Sequence, residues 1–236
     1  MAQVEANVRI DHKIGEFLLP QFRDAKKRLW IMSPWISEEY MELALGKKVA
    51  GVDVRVMTSN DYVPGQKEAI SKLIESHQRV ARPERKDLKY TGIGLVVGGL
   101  VLIPVTAGVS LIISFVGLVL FLLGRESQQT YWVSKLGDGN LKIFESSPYK
   151  SVHAKVYIAD DFIAIGSANL TGNGTKRNIE GMVSMYGEEL ATQVCEMMSG
   201  ISQNLNLREV PYDTLGRDVQ RVEPRRRHYR RHSARY

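Results

Sequence analysis

The sequence predicts an α/β domain, a mixed β-sheet flanked by helices, interrupted by an inserted transmembrane helical hairpin. Three observations carry this expectation. Strand-like and helical segments alternate before residue 80, and strands cluster after residue 140. Between the two halves, positions 90–124 hold 35 consecutive residues without a charge. Basic residues flank that tract on both sides, which favours both ends on the cytoplasmic face. A sheet that draws strands from both halves needs both on one side of a bilayer, and a hairpin delivers that.

Each element has its own signal. Ile14, Phe17, Leu18 and Phe22 recur at helical spacing over 11–27, with Pro20 disturbing the middle. Arg28–Met32 is a short apolar run ending at Ser33-Pro34, a strand. Ser37-Glu38-Glu39 opens a helix through Tyr40, Leu43 and Leu45 to Gly46 or Gly51. Val52, Val54 and Val56 alternate with Asp53 and Arg55, a half-buried strand. Over 66–80, Ile70, Leu73, Ile74 and His77 share a helical face, on which His77 is a boundary residue rather than a ligand. Beyond the tract, 141–144, 152–159, 162–165 and 182–185 read as strands. A helix over 188–205 presents Leu190, Val194, Met197, Met198 and Ile201 as its apolar face.

The uncharged tract exceeds the roughly 20 residues that one span requires. Pro104, followed by Val105, Thr106, Ala107 and Gly108, divides it into arms over 92–103 and 109–123. Each arm is short for a full crossing, so the hairpin is thin or only partly spanning; one long tilted helix is the alternative. Arg79, Arg82, Arg85, Lys86 and Lys89 precede the tract, and Arg125 and Lys135 follow it. Tyr90, Tyr131 and Trp132 are placed for the headgroup level. The domains are then 1–89 and 125–206, two halves of one fold, with 90–124 as the insert and 207–236 as linker and tail.

Of 236 residues, 44% are hydrophobic and 25% charged, which excludes a disordered polymer. One cysteine, Cys195, excludes an internal disulfide framework, and the five histidines lack metal-site spacing. The opening Met-Ala-Gln-Val-Glu-Ala-Asn carries no secretory signal pattern, so the expected location is a membrane with the catalytic domain facing the cytoplasm. The net charge of +6 lies wholly in 217–236, where eight arginines face Asp218 and Glu223; residues 1–216 balance at 24 basic and 24 acidic. That tail, with Arg225, Arg226, Arg227, Arg230 and Arg231, is either a solvated run or a polyanion-binding arm for nucleic acid or anionic lipid.

Chemistry concentrates in 153–172. On a strand, His153 and Lys155 project from one face. The next strand ends in Gly166-Ser167-Ala-Asn169, where Gly166 lets a backbone approach closely and Ser167 and Asn169 offer donors. A proton carrier or nucleophile, a fixed positive charge and neutral donors around one small volume suit a tetrahedral phosphate. A lone strand histidine is usually structural; the ordered combination over two adjacent strands is what points to a site.

In these residues the chain resembles the phospholipase D superfamily: His153, Lys155, Asp160, Gly166, Ser167 and Asn169 follow its signature order, with five residues between Asp160 and Gly166 where six is usual. The likeness extends over about 10–85 and 138–205, including Trp30–Trp35 and Asn178-Ile-Glu180. It implies a two-step phosphodiester reaction through a phosphohistidine, without metal or other cofactor. It further implies Glu180 as the group orienting the imidazole and Asp160 as structural support. Such a site needs two histidines and the chain holds one motif, so the resemblance implies a homodimer with two His153 residues meeting across a two-fold axis. Two substrates suit it, a membrane phospholipid headgroup or, through the arginine tail, nucleic acid.

Overall fold

The structure, a computed structural model, describes residues 5–61, 63–106, 110–147 and 150–218. The tail arginines Arg225, Arg226, Arg227, Arg230 and Arg231 lie outside the described residues. The chain divides into two compact units, Met1–Glu75 with Trp132–Tyr236, and Ser76–Tyr131.

In the first unit the elements run β1 (Ala6–Asp11), α1 (Ile14–Asp24), β2 (Arg28–Met32), α2 (Glu38–Val49), β3 (Asp53–Ser59) and α3 (Gln66–Leu73). The second unit holds most of β4 (Ile74–Arg82), then α4 (Lys86–Val101), α5 (Ile103–Thr106), α6 (Leu111–Gly124) and most of β5 (Ser127–Ser134). The first unit resumes with β6 (Leu141–Phe144), β7 (Lys155–Ala159), β8 (Phe162–Gly166), α7 (Gly172–Lys176), β9 (Glu180–Tyr186) and α8 (Glu188–Asn204).

Seven strands form one mixed sheet in the order β1-β9-β8-β7-β2-β3-β6, parallel across β2-β3 and β3-β6 and antiparallel elsewhere. Both faces are covered, which is why the central strands read as unbroken apolar runs. Leu29 and Ile31 of β2 turn to one core with Ile14, Leu18 and Phe22 of α1, all within 1% of full burial. Trp30 and Met32 turn to the other with Ala191, Cys195 and Met198 of α8. Helix α1 continues through Pro20 because that residue faces solvent, where water can serve the carbonyl left without its intrahelical donor.

Several expectations change. The helix from Gln66 ends at Leu73, and 74–82 is strand, so His77 lies on exposed β4 with its ring 5.8 Å from that of Tyr131. Met197 of α8 points outward at 70% exposure. Strand β7 starts at Lys155, three residues later than the apolar pattern suggests, and β1 joins the sheet edge beside β9.

The expected transmembrane hairpin is not borne out as a membrane span, although two helices fold back on one another over this tract. Helices α4 and α6 pack antiparallel, with Gly92 against Gly117 and Phe121, Gly99 against Ser110 and Ser114, and Gly124 against Lys89. Among the described residues, however, no helix is long and apolar enough to cross a membrane. Helix α4 has 16 residues and α6 has 14, about 24 and 21 Å against a hydrocarbon core of about 30 Å.

Asp160 sits at the β7–β8 turn with φ of 55° and accepts three successive backbone N–H groups, from Lys26 (2.9 Å), Lys27 (2.7 Å) and Arg28 (3.0 Å). Burial by itself would raise its carboxyl; the three donors outweigh that and hold it below the usual range. The resulting stabilisation is fully present above the unfolded value near 4 and is lost as pH falls through the lower folded value. Asp160→Asn keeps the left-handed turn accessible while removing the charge. We expect it to cost about 1–3 kcal/mol at pH 7 and to flatten the acid limb of a denaturation series below about pH 4. An unchanged acid limb would show that Asp160 is not the anchor.

Candidate active site

The site is assembled by strand register. Lys155 opens β7 opposite Gly166, the last residue of β8, and Gly166 in turn lies opposite Met182 of β9. Met32, the last residue of β2, pairs with Val156. The start of β7, the end of β8, the start of β9 and the end of β2 therefore meet at one sheet edge, bringing His153, Lys155, Ser167, Asn169 and Glu180 together. Asp160 stands at the other end of β7, about 16 Å along the strand, and takes no part there.

Lys155 is 5% exposed, and its ammonium donates to the backbone carbonyl of its neighbour His153 at 2.7 Å. The same Nζ lies 3.0 Å from Nδ1 and 3.3 Å from Nε2 of the exposed His153 ring. An ammonium can donate only to a ring nitrogen that carries a lone pair, so the contact suits a neutral imidazole. Burial pushes the Lys155 amine below its ordinary value, and the negative charge of Glu180 partly offsets this. Trp35 meets the His153 ring edge to face, 6.4 Å between centroids.

Ser167 acts as a rivet between β8 and β9. Its backbone N–H donates to the Gly181 carbonyl at 2.9 Å, its hydroxyl accepts from Gly181 N–H at 3.1 Å, and that hydroxyl donates to the Glu180 carboxylate. The other carboxylate oxygen of Glu180 accepts from the Asn178 amide at 3.2 Å. Glu180 is thus engaged by Ser167 and Asn178, and the described contacts of the imidazole are with Lys155 and Trp35. Gly166 has a steric reason: a Cβ there would come within 2.1 Å of the Gly181 carbonyl oxygen. The backbone it admits is β9. Ala168 is pinned by the Tyr157 hydroxyl, 2.5 Å from its carbonyl, whose buried ring pushes that hydroxyl's pKa up. Asn169 accepts at Oδ1 from the Ser33 hydroxyl, 3.4 Å.

In the sequence Ser33 marks the end of the β2 run and Trp35 closes the Trp30–Trp35 likeness, neither with a role, and Gln66 is visible only as a helix start. Gln66, 3% exposed, fastens that loop: its amide donates to Pro34 O (3.3 Å) and Thr58 Oγ1 (2.9 Å), while Oε1 accepts from Ile36 N–H (3.0 Å). Trp35 is held from the far side by its Nε1–H bond to Asp61, 3.1 Å. Asp61 also lines a cleft of ≈ 220 Å³ with Asn60, Lys67 and Arg208, which contains none of the expected site residues. The imidazole stands at the surface, not in that cleft. Among the described residues, no group of three or more His, Cys, Asp or Glu is placed to hold a metal.

An exposed imidazole beside a buried positive charge suits attack on an anionic phosphorus centre, and phosphodiesterases are the class this arrangement falls in. Residues 121–201 match the family model described as cardiolipin synthase, PLD-like domain. The segment carrying the site is thus similar to the PLD-like domain, a family of phosphodiesterases, over about a third of the chain. Among solved structures the chain is similar to Nuc, a phospholipase D family member from Salmonella typhimurium (15% identity, TM-score 0.48, 89% of this chain and 99% of that one). It is also similar to NucT from Helicobacter pylori (10%, 0.45, 89% and 100%) and to a phosphatidylserine synthase from Haemophilus influenzae Rd KW20 (13%, 0.47, 96% and 46%). No curated protein sequence matches it.

Glu180→Gln removes the charge that partly offsets the burial of Lys155. Lys155 in that variant should titrate at still lower pH, read from its side-chain NMR shifts; an unchanged or raised midpoint would separate the two groups electrostatically.

Proposed function

We propose that the chain is a membrane-bound phosphodiesterase of the phospholipase D type that hydrolyses phospholipid headgroup phosphodiesters in a homodimeric site, its catalytic domain on the cytoplasmic side. The observation that carries this reading is the contact of the buried Lys155 ammonium with the exposed His153 ring. One ring nitrogen of His153 attacks phosphorus, forming a P–N bond as the P–O bond to the headgroup alcohol breaks. His153 of the partner subunit delivers a proton to the departing oxygen. That imidazole then takes a proton from water, the oxygen attacks phosphorus, and the P–N bond breaks with its electrons returning to the first ring. Lys155 holds a phosphoryl oxygen, and Asn169 supplies a neutral donor from the opposite strand end. Glu180 supports the site through Ser167 and offsets the charge of Lys155.

A second copy has a surface to use. Val8, Val183 and Ile165 lie in register across β1, β9 and β8, exposed by 68%, 37% and 40%. This apolar row ends beside Gly166 and Ser167, where the half-site lies open. For the substrate, the uncharged tract and the lipid-synthase name of the matching family favour phospholipid. A metal-independent endonuclease is the second reading, favoured by the eight arginines in 217–236.

Purified protein offered labelled phospholipid vesicles and single-stranded DNA in parallel, with chelator present, separates the two by whether headgroup or oligonucleotide is released. His153→Asn should fold normally and lose turnover by about 10³-fold or more; a substantial residual rate would mean another nucleophile. Val183→Lys should shift the protein to monomer in sedimentation and lower turnover about tenfold or more. A folded, fully active monomer would overturn the shared site.

A further inference from the structure

Fifteen large apolar side chains between Ile93 and Leu123 stand exposed on the hairpin, from 39% at Val119 to 82% at Val105. They ring both helices and do not form a stripe that one protein face could cover. The seam between the helices is closed by glycine: a Cβ at Gly92 would lie 2.4 Å from the Phe121 backbone, and one at Gly117 2.7 Å from the Gly92 carbonyl oxygen. Helices approach backbone to backbone in this way where the surrounding solvent is as apolar as their own side chains.

The turn is also provisioned for a dry place. The Thr106 hydroxyl donates to the Leu102 carbonyl (2.9 Å) and accepts from the Ser110 N–H (3.2 Å), and the Ser114 hydroxyl donates across the seam to the Val96 carbonyl (3.2 Å). In water a broken helix needs no such help; in hydrocarbon its freed backbone groups must be satisfied from within. At the other end the charge changes abruptly. Arg85, Lys86, Lys89 and Arg125 stand at the base and Arg79 and Arg82 lie on the strand that leads into it, against only Glu84, Asp87 and Glu126 in the same stretches, with Tyr90 65% exposed. From Tyr90 to Val101, α4 rises about 16.5 Å, 11 steps of about 1.5 Å. That rise reaches about the midplane of a hydrocarbon core of about 30 Å and stops well short of the far surface.

We propose that the hairpin is a one-leaflet wedge: it enters a bilayer from the side of its basic collar, its turn rests within the hydrocarbon, and the collar selects anionic headgroups. This rests on the membrane-bound part of the reading above and not on its chemistry.

The test uses full-length protein carrying His153→Asn, so that catalysis plays no part, with Cys195→Ala and a fluorophore attached at Val105→Cys or, separately, Tyr90→Cys. Vesicles are phosphatidylcholine with or without one-third phosphatidylglycerol. The label at 105 should be quenched more strongly by spin labels midway along the acyl chain than by labels at the headgroup, and the label at 90 the reverse. Aqueous iodide on either side should reach 105 poorly. Removing the phosphatidylglycerol, or introducing R79Q/R82Q/R85Q, should weaken vesicle binding about tenfold or more. Quenching at 105 by iodide trapped inside the vesicles would show a full crossing, and quenching by external iodide would show no insertion. Self-quenching between labels without lipid quenching would show two hairpins covering one another, and equal affinity for both vesicle types would remove the role of the collar. Each of these would overturn the proposal. Headgroup release by the His153 enzyme is measured separately, so failure of the anchor and failure of the chemistry remain distinguishable.

Discussion

Lys155, Gly166 and Met182 lie abreast on three antiparallel strands, and that single row decides what the site can contain. Because side chains alternate with period two, a one-residue slip of β8 against β7 would turn Gly166 away and set a side chain against the Gly181 carbonyl. The Ser167 rivet and the Tyr157–Ala168 bond hold the register at its functional end, and Asp160 holds it at the other by gathering the N–H groups before β2. Precision at the imidazole is thus derived from backbone hydrogen bonds in a sheet packed on both faces. The exposed ring itself contributes little to it.

The same row creates an electrostatic cost. A nearly buried ammonium is unfavourable unless its hydrogen-bonding capacity is met and a counter-charge is near. Here the His153 carbonyl and ring meet the first need and Glu180 the second, yet burial still dominates and the amine is pushed down. In the reaction proposed above, a pentacoordinate phosphorus would add negative charge beside Lys155 to that of Glu180. The unliganded site is therefore less comfortable than the occupied one, which is the direction electrostatic preorganisation requires.

Legibility in the sequence followed burial. Strand β2 is buried on both faces and announces itself as an apolar run, and β3 shows itself by the alternation of Val54 and Val56 with Arg55, whereas β1 is exposed along its length and gives no such signal. The helical spacing of Ile70, Leu73, Ile74 and His77 misleads because Ile74 already begins a strand whose remaining residues face solvent. The ordered motif around His153 predicts a cluster, and its residues other than Asp160 do lie at strand ends that register brings together. Their individual duties were less readable. Ser167 has one hydroxyl proton and it goes to Glu180, a competition that no spacing reveals. Ser33, Trp35 and Gln66 reach the site through the β2–β7 pairing and a buried amide, both long-range and silent in local pattern.

The place where the second unit leaves and rejoins the first constrains what that unit can be. The Lys135 N–H donates to the Leu73 carbonyl at 2.8 Å, so the first unit releases the chain and recovers it at adjacent points. An excursion with coincident ends costs the host fold little, because loop-closure entropy grows only slowly with length. It must also return to the face from which it started. A single crossing of a bilayer would leave 73 and 135 on opposite sides and break that bond together with the seven-stranded sheet, which takes strands from both halves. Only an even number of passes, or a partial entry that turns back, is compatible with the sheet. The short arms, the glycine seam and the hydrogen-bonded ends of the arms are the observations behind the partial entry proposed above.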